Sequence, residues 1–385
     1  MIEGWEIKKL GSVAFLQRGF DLPAKNRVKG KIPVISSAGI SGFHNKAQAD
    51  SPGVVTGRYG SIGEVFYVEE DYWPLNTALW VKNFFGNDPK FIYYVLSRID
   101  YKKFSGKTGV PGVNRNDLHS IKISLPPLSE QKKISQILST WDKAVKAVEG
   151  LIENSKTQKK ALMSQLLTGK TRLEKLGSQA LGFVKLGSLC AVRRGASPRP
   201  IQDSKWFSEK GRGWVRISDV TASSTEFLES TSQYLSSLGA KKSVPVEPGE
   251  LIMSICATIG VPKIVGIPVC IHDGFVVFRD MKDDLAVEFL YYYLWFASEK
   301  LANSGQPGTQ KNLNIAMVKN ILIPFMSLEE QQKIAKILSA ADKEIRLLEK
   351  EKTFIKQQKK ILLQQLLTGK HRVVLDDPVP ESEPA

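Results

Sequence analysis

The stretch Leu128–Arg172, LSEQKKISQILSTWDKAVKAVEGLIENSKTQKKALMSQLLTGKTR, decides how the rest of the chain is read. Its apolar positions fall at Ile134, Leu138, Trp141, Val145, Val148 and Ile152, pass through Ser155 and Lys159, and resume at Leu162 and Leu166. Steps that alternate between four and three residues form a heptad seam on one face of an α-helix. No proline interrupts the run after its start, and Gly150 is its only interior glycine. Gly169 follows the last seam residue, where helices commonly stop. Ser129, just ahead of Glu130, supplies an N-terminal signal. About 40 residues at 1.5 Å each predict a rod roughly 60 Å long. So thin a rod cannot bury its own apolar stripe and must pair.

The partner is encoded in the same chain. Leu328–Arg372 repeats the segment at an offset of 200 residues without a gap. Glu130 matches Glu330, Gln131 matches Gln331, Ile134 matches Ile334 and Asp142 matches Asp342. The ends, Leu166-Leu167-Thr168-Gly169-Lys170 and Leu366-Leu367-Thr368-Gly369-Lys370, are identical. The second seam runs Ile334, Leu338, Ala341, Ile345, Leu348, Lys352, Ile355, Lys359, Leu362, Leu366, with Ser327 before it. Two matching seams predict an antiparallel intramolecular pair; a coiled coil between chains, or bundle helices within one core, are the alternatives. Lys159, Lys352 and Lys359 place charge on the seam, where they are expected to weaken packing and mark the approach of another protein or DNA. Upstream the repeat is weaker: Lys9-Leu10-Gly11-Ser12 resembles Lys185-Leu186-Gly187-Ser188, and Phe91-Ile92-Tyr93-Tyr94 resembles Phe289-Leu290-Tyr291-Tyr292.

The predicted fold class is therefore α+β. Two mixed, mostly β domains (1–127 and 172–327) are separated by two long coiled-coil helices (128–171 and 328–371), as a pseudo-two-fold internal repeat, with a disordered acidic tail at 372–385. Within the domains, short apolar runs broken by Gly and Pro read as strands: IPVIS, GVVTG, EVFYVEE and TALWVKN in the first, WVRIS, ELIMSI, KIVGIPVCI and FVVFRD in the second. Phe91–Arg98 and Val287–Leu301 read as helices, and IKISLP and ILIPF as last strands. One curved sheet with a flanking helix and long loops is expected in each.

Composition narrows the partner. Of 385 residues, 54 are Lys or Arg and 39 Asp or Glu, a net charge of +15, and the body carries +19 once the four acids of DDPVPESEPA are set aside. Such an excess favours a polyanion or an anionic surface. The most apolar short run, Phe289–Ala297, is too brief to span a bilayer, and MIEGWEIKKL has no signal-peptide core. Cys190, Cys256 and Cys270 lack CxxC spacing, which fits a reducing cytoplasm rather than a disulfide or zinc framework.

Polar loops hold the side chains suited to reading DNA. In the first domain these are Arg58 and Tyr59 in TGRYGSIG, and Lys107, Thr108, Asn114 and Arg115 in SGKTGVPGVNRNDL. In the second they are Arg193, Arg194 and Arg199 in CAVRRGASPRP, and Gln306, Gln310, Lys311 and Asn312 in SGQPGTQKNLN. Arg pairs with guanine edges, Asn and Gln with adenine edges, and Lys and Arg neutralise phosphates. Taken singly each could be an ordinary solvent loop; the charge and the duplication favour DNA contact. Catalytic motifs do not withstand inspection. The glycine of a P-loop is replaced by Ser164, and His371 stands where a hydroxyl would be needed. His44, His119, His272 and His371 are scattered, so no metal cluster or Ser/His/Asp set can be assembled. His272-Asp273 reads as structural or base-contacting.

The helix openings Leu128–Ile134 and Leu328–Ile334, the Gln-Leu-Leu-Thr-Gly-Lys ends and the preceding Ile-x-Ile-x-x-Pro strand resemble the specificity subunits of Type I restriction-modification enzymes, from Trp5 to Arg372. The resemblance implies a non-catalytic subunit with two target recognition domains, each reading half of a split double-stranded DNA sequence, and paired helices that set the unread gap. It implies two partner methyltransferase subunits that methylate adenine with S-adenosylmethionine, and ATP-dependent restriction subunits that can join them. No cofactor is expected on this chain, which lacks an Asn/Asp-Pro-Pro-aromatic methyltransferase motif. The rivals are a self-contained nuclease or methyltransferase, and a coiled-coil scaffold of a defence complex that binds DNA without reading it.

Overall fold

The computed structural model describes residues 3–104, 112–173, 182–223, 225–303 and 313–375, with the backbone alone at 299–303. The acidic tail from 376 onward lies outside them. The chain forms two compact units: one joins 1–148 to 352–385, the other is the continuous segment 149–351.

In the first unit the strand-forming runs fall where the apolar pattern places them, Ile32–Ser36 and Gly53–Gly57 among them. They build two sheets rather than one. A four-stranded sheet is ordered Phe15–Arg18, Ala78–Asn83, Gly53–Gly57, Val65–Val68, and a three-stranded sheet Gly39–His44, Ile32–Ser36, Trp73–Pro74. Glu6–Lys9 pairs antiparallel with Lys122–Leu125 in a separate ribbon. Helix Pro89–Ser97 starts at Asp88, whose Oδ1 accepts the Phe91 N–H at 2.7 Å. The core gathers Leu16, Val54, Leu79, Phe91 and Tyr94 around Ile134 and Leu138 from the start of one long helix and Leu366 and Leu367 from the end of the other.

The second unit also has two larger sheets, each five-stranded, besides an antiparallel ribbon of Phe183–Lys185 with Leu322–Pro324. One runs Ala191–Arg194, Phe275–Arg279, Leu251–Ser254, Pro262–Val265, Phe227–Leu228; the other runs Phe207–Ser208, Tyr234–Leu235, Arg212–Val215, Val269–Ile271, Val244–Val246. Strand WVRIS is shorter than its composition suggests. It ends at Val215, because the Asp219 carboxylate accepts the Arg216 N–H at 2.8 Å and opens a short helix, Ile217–Ala222. Helix Val287–Asn303 lies against the first sheet, with Phe289, Leu290 and Tyr292 buried beside Met163, Leu166, Ile334 and Leu338.

The long helices are Leu128–Leu166 and Leu328–Leu367. Every seam position named above is buried or half-buried. Both helices stop as the glycines predict: Gly169 and Gly369 take φ of 69° and 68°, and the Thr171 and His371 N–H groups reach back to Gln165 O and Gln365 O at 3.1 and 3.3 Å. Their starts differ. Ser327 accepts the Glu330 N–H at 3.2 Å, but Pro127 occupies the matching position in the first copy and Ser129 lies inside the first helical turn.

Within each unit the two helix segments run antiparallel and are joined by charge. In the first unit Arg372 Nη2 meets Glu130 Oε1 at 2.8 Å and Lys359 pairs with Asp142. In the second, Arg172 Nη2 meets Glu330 Oε2 at 2.6 Å and Lys159 meets Asp342 at 2.5 Å. The buried tyrosines Tyr94 and Tyr292 donate their hydroxyls to Asp142 and Asp342 at 2.5 and 3.0 Å, and each ring lies 5.6 Å from the lysine ammonium. The seam lysines Lys159 and Lys359 are each half-buried and paired with an aspartate from the other helix. Lys352 is half-buried as well.

Candidate nucleic-acid interface

In the first unit the sheet delivers its cations to one recess. Strand Phe15–Arg18 ends in Arg18, and strand Gly53–Gly57 runs straight into Arg58 and Tyr59, whose N–H groups both donate to Thr77 O at 2.9 and 3.1 Å. The returning chain closes the opposite wall: Val113 N donates to Arg58 O at 2.9 Å and Gly112 bridges Tyr59. A Cβ at residue 112 would come within 2.5 Å of the Tyr59 ring, so glycine alone permits this approach. The Arg58 guanidinium stacks over Tyr59, 4.4 Å from its centroid. Arg18, Arg58, Tyr59, Asn114, Arg115 and Asp117 line the resulting recess of about 620 Å³.

Asn114 has a structural task there. Its side chain accepts the Asn116 N–H at 3.0 Å and caps helix Arg115–His119, leaving its amide nitrogen as the donor able to serve a base. Arg115 lies 5.8 Å from the Phe15 ring, which also meets His119. The His119 imidazole accepts the Leu16 N–H at 2.9 Å, and burial, aided by Arg115, holds its pKa below the usual histidine value. A neutral acceptor that joins the helix to the first strand is a positioning group.

The second unit gathers its cations from a different side. Strand Ala191–Arg194 pairs with Phe275–Arg279, and Arg193 lies 3.7 Å from Asp280. Asp273 organises the rest: Arg194 Nε donates to its carbonyl at 2.7 Å, Ser197 Oγ to Oδ1 at 2.6 Å, and Arg199 Nη2 lies 3.4 Å from Oδ2. The Ser197 hydrogen bond, with His272 and Arg199 nearby, holds the Asp273 carboxyl below the ordinary range against the effect of burial. His272 is neutral in character, since burial and Arg216 lower its pKa more than Asp273 raises it; Nδ1 accepts the Gly274 N–H at 2.9 Å.

Arg18 is absent from the residues picked out in the sequence, yet it lines the first recess. A signal for it exists: Arg18-Gly19 repeats as Arg194-Gly195 at the same 176-residue offset as Gly11 and Gly187. A Cβ on either Gly19 or Gly195 would stand 2.2 Å from a carbonyl, of Leu75 and His272 respectively, so both glycines bring the first strand against the same part of the sheet. Arg18 Nη2 meets Asp21 at 3.0 Å, and Asn76 also donates to Asp21. Lys107 and Thr108, and Gln306, Gln310, Lys311 and Asn312, lie outside the described residues. Among the described residues no group of His, Cys, Asp and Glu is arranged to hold a metal, and no helix is long and apolar enough to cross a membrane.

The chain matches the family described as "Type I restriction modification DNA specificity domain" over residues 2–154 and 181–357, one match on each side of the repeat. It is 29% identical over 301 residues to the putative type I restriction enzyme MjaX specificity subunit of Methanocaldococcus jannaschii, covering 74% of this chain and 69% of that one. It is 28% identical over 311 residues to the MjaVIII specificity subunit of the same organism, covering 74% and 71%. The fold resembles the S subunit of a Type I restriction-modification system from M. genitalium, with a TM-score of 0.63 at 19% identity over 94% of this chain and 96% of that one. It also resembles a chain solved in work on complex assembly and conformational transition of the type I R-M system, with a TM-score of 0.59 at 18% identity over 96% and 99%. The chain belongs to the Type I restriction-modification DNA specificity family, whose members recognise DNA targets and are not themselves the catalytic subunits.

Proposed function

We propose that this chain reads a bipartite double-stranded DNA target, one half-site with residues 1–127 and the other with 172–327, while helices 128–171 and 328–371 form a coiled-coil spacer of pseudo-two-fold symmetry that fixes the unread gap. The carrying observation is that each unit contains the start of one long helix and the end of the other, antiparallel and fastened by corresponding ion pairs: Glu130–Arg372 with Asp142–Lys359, and Glu330–Arg172 with Asp342–Lys159. The guanidinium groups at Arg58 and Arg115, and at Arg193, Arg194 and Arg199, would meet base edges and phosphates, joined by the loop residues at 107–108 and 306–312. In the cytoplasm, two methyltransferase subunits carrying S-adenosylmethionine would dock on this frame and methylate an adenine in each half-site, and ATP-dependent restriction subunits would join to cut unmethylated DNA.

Removing one heptad from each helix in register, residues 147–153 together with 348–354, shortens the strut by about 10 Å. The methylated sequence should then lose roughly three base pairs of gap, at 3.4 Å per step, with both half-sites unchanged. An unaltered gap would remove the spacer role. Exchanging residues 1–127 for the matching domain of a relative should change one half-site only. Equal binding to random and methylated-motif DNA at raised salt would instead favour a scaffold that does not read sequence.

A further inference from the structure

We infer that Arg58, placed over the Tyr59 ring, is the side chain by which the first unit reads a guanine; this rests on the DNA-reading function proposed above and assigns one of its contacts. The argument begins in the other unit. The backbone position of Arg58 recurs at Ile255: Arg58 N donates to Thr77 O at 2.9 Å and Ile255 N to Gly274 O at 2.8 Å, while Arg58 O accepts from Val113 and Ile255 O from Leu313, both at 2.9 Å. At this position the second unit carries a buried isoleucine that packs in its core. The fold therefore has no need of a cation there.

What the first unit does with the cation is specific. The guanidinium lies over the Tyr59 ring, and among the described residues it makes one hydrogen bond, from Nη1 to Asn76 O at 3.4 Å, and has no carboxylate within ion-pair distance. Tyr59 is itself fixed by the Gly112 bridge. A guanidinium held over a ring, with Nη1 alone committed to one long contact and a recess of about 620 Å³ beside it, keeps N–H donors for a planar two-acceptor partner. The O6/N7 edge of guanine is that partner in a major groove. A phosphate can take the same fork, but Arg18 and Arg115 line the recess as well and are available to it.

The test uses the full chain, purified from its native host with the subunits that accompany it, and a randomised duplex library from which bound DNA is sequenced. Arg58→Ile, which places at 58 the residue the fold accepts at 255, should leave the thermal midpoint near wild type. It should cut enrichment of guanine at one position of one half-site by about ten- to a hundredfold, with every other position retained. Arg58→Lys should lose the same preference, because an ammonium has no fork. Tyr59→Phe should keep it. A uniform loss of affinity with the motif intact, or full rescue by lysine, would make Arg58 a phosphate contact and overturn the inference. An unchanged motif in Arg58→Ile overturns this assignment alone, whereas a wild-type chain that enriches no motif removes the DNA-reading function itself.

Discussion

The two units solve one problem with opposite polarity. At the end of the first strand, Arg18, Asp21 and Asn76 of the first unit correspond to Arg194, Ser197 and Asp273 of the second. Each trio holds one carboxylate, but it sits on the first-strand side in one unit and on the sheet side in the other. Beyond the trio the difference grows. Arg58 and Tyr59 follow the inner strand Gly53–Gly57 of the first unit, where the second has Ile255 and Cys256; Arg193 and Arg199 lie on and after strand Ala191–Arg194 of the second, where the first has Gln17 and Pro23. The frame is shared and the charges on it are rearranged. By contrast, the residues that fasten helix to helix are the same in both units.

Mutations can break this parallel. The largest effect is expected at the helix ends. Glu330 is fully buried and Arg172 about three-quarters buried, so Arg172→Ala should destabilise the second unit by about 2–3 kcal/mol, read from denaturant unfolding. Arg372→Ala should cost less, because Arg372 is nearly half exposed. The Glu330 carboxyl is held below its usual range, first by Arg172. Its stabilising share is therefore present above the unfolded carboxylate pKa and lost as pH falls through the depressed folded value, so wild type and Glu330→Gln should converge in acid.

Next comes the half-buried lysine–aspartate pair. A double-mutant cycle on Lys159 and Asp342 should give a coupling of about 1–2 kcal/mol, larger than that for Lys359 and Asp142, whose aspartate is the more exposed. Below that, Asn114→Ala and Asn314→Ala should each cost about 1 kcal/mol by uncapping helices Arg115–His119 and Ile315–Lys319. Equal costs would sharpen the parallel; a much larger loss of DNA binding for Asn114→Ala would give that residue a second task.

The smallest effect concerns Lys263, buried where the first unit has Phe66. Burial lowers its pKa to about 8, and its ammonium donates to Ser223 O at 2.9 Å and to Thr225 O. A folded pKa below the unfolded one means that the unfolded chain binds more protons above pH 8. Stability should thus rise with pH, by under about 1 kcal/mol from pH 7 to 8.5, and Lys263→Met should abolish that rise.

Much of the frame is legible in the sequence because it is local. A heptad seam, a glycine at the stop and a 200-residue repeat fix where Leu128–Leu166 and Leu328–Leu367 begin and end. The strands of the apolar runs are local too. Their assignment to two sheets per unit is not, since strand partners such as Gly213 and Val269 lie far apart in sequence. The exchange of Arg172 to Glu330 and Arg372 to Glu130 was within reach, as all four residues obey the repeat, but an acid near a helix start reads first as a capping residue. At the recess, Arg58, Tyr59 and Arg115 follow from composition; Arg18 escapes because Asp21 beside it makes the segment look neutral.

The first unit is discontinuous, and this has a bearing on how the chain is made. Its N-terminal 148 residues leave the ribosome early, but Leu366 and Leu367, which complete its interior, and Arg372, which pairs with Glu130, are synthesised more than two hundred residues later. At 5–20 residues per second that is a wait on the order of ten to forty seconds. The continuous second unit, nested inside, has all its pieces first. The domain translated first is thus the last to close.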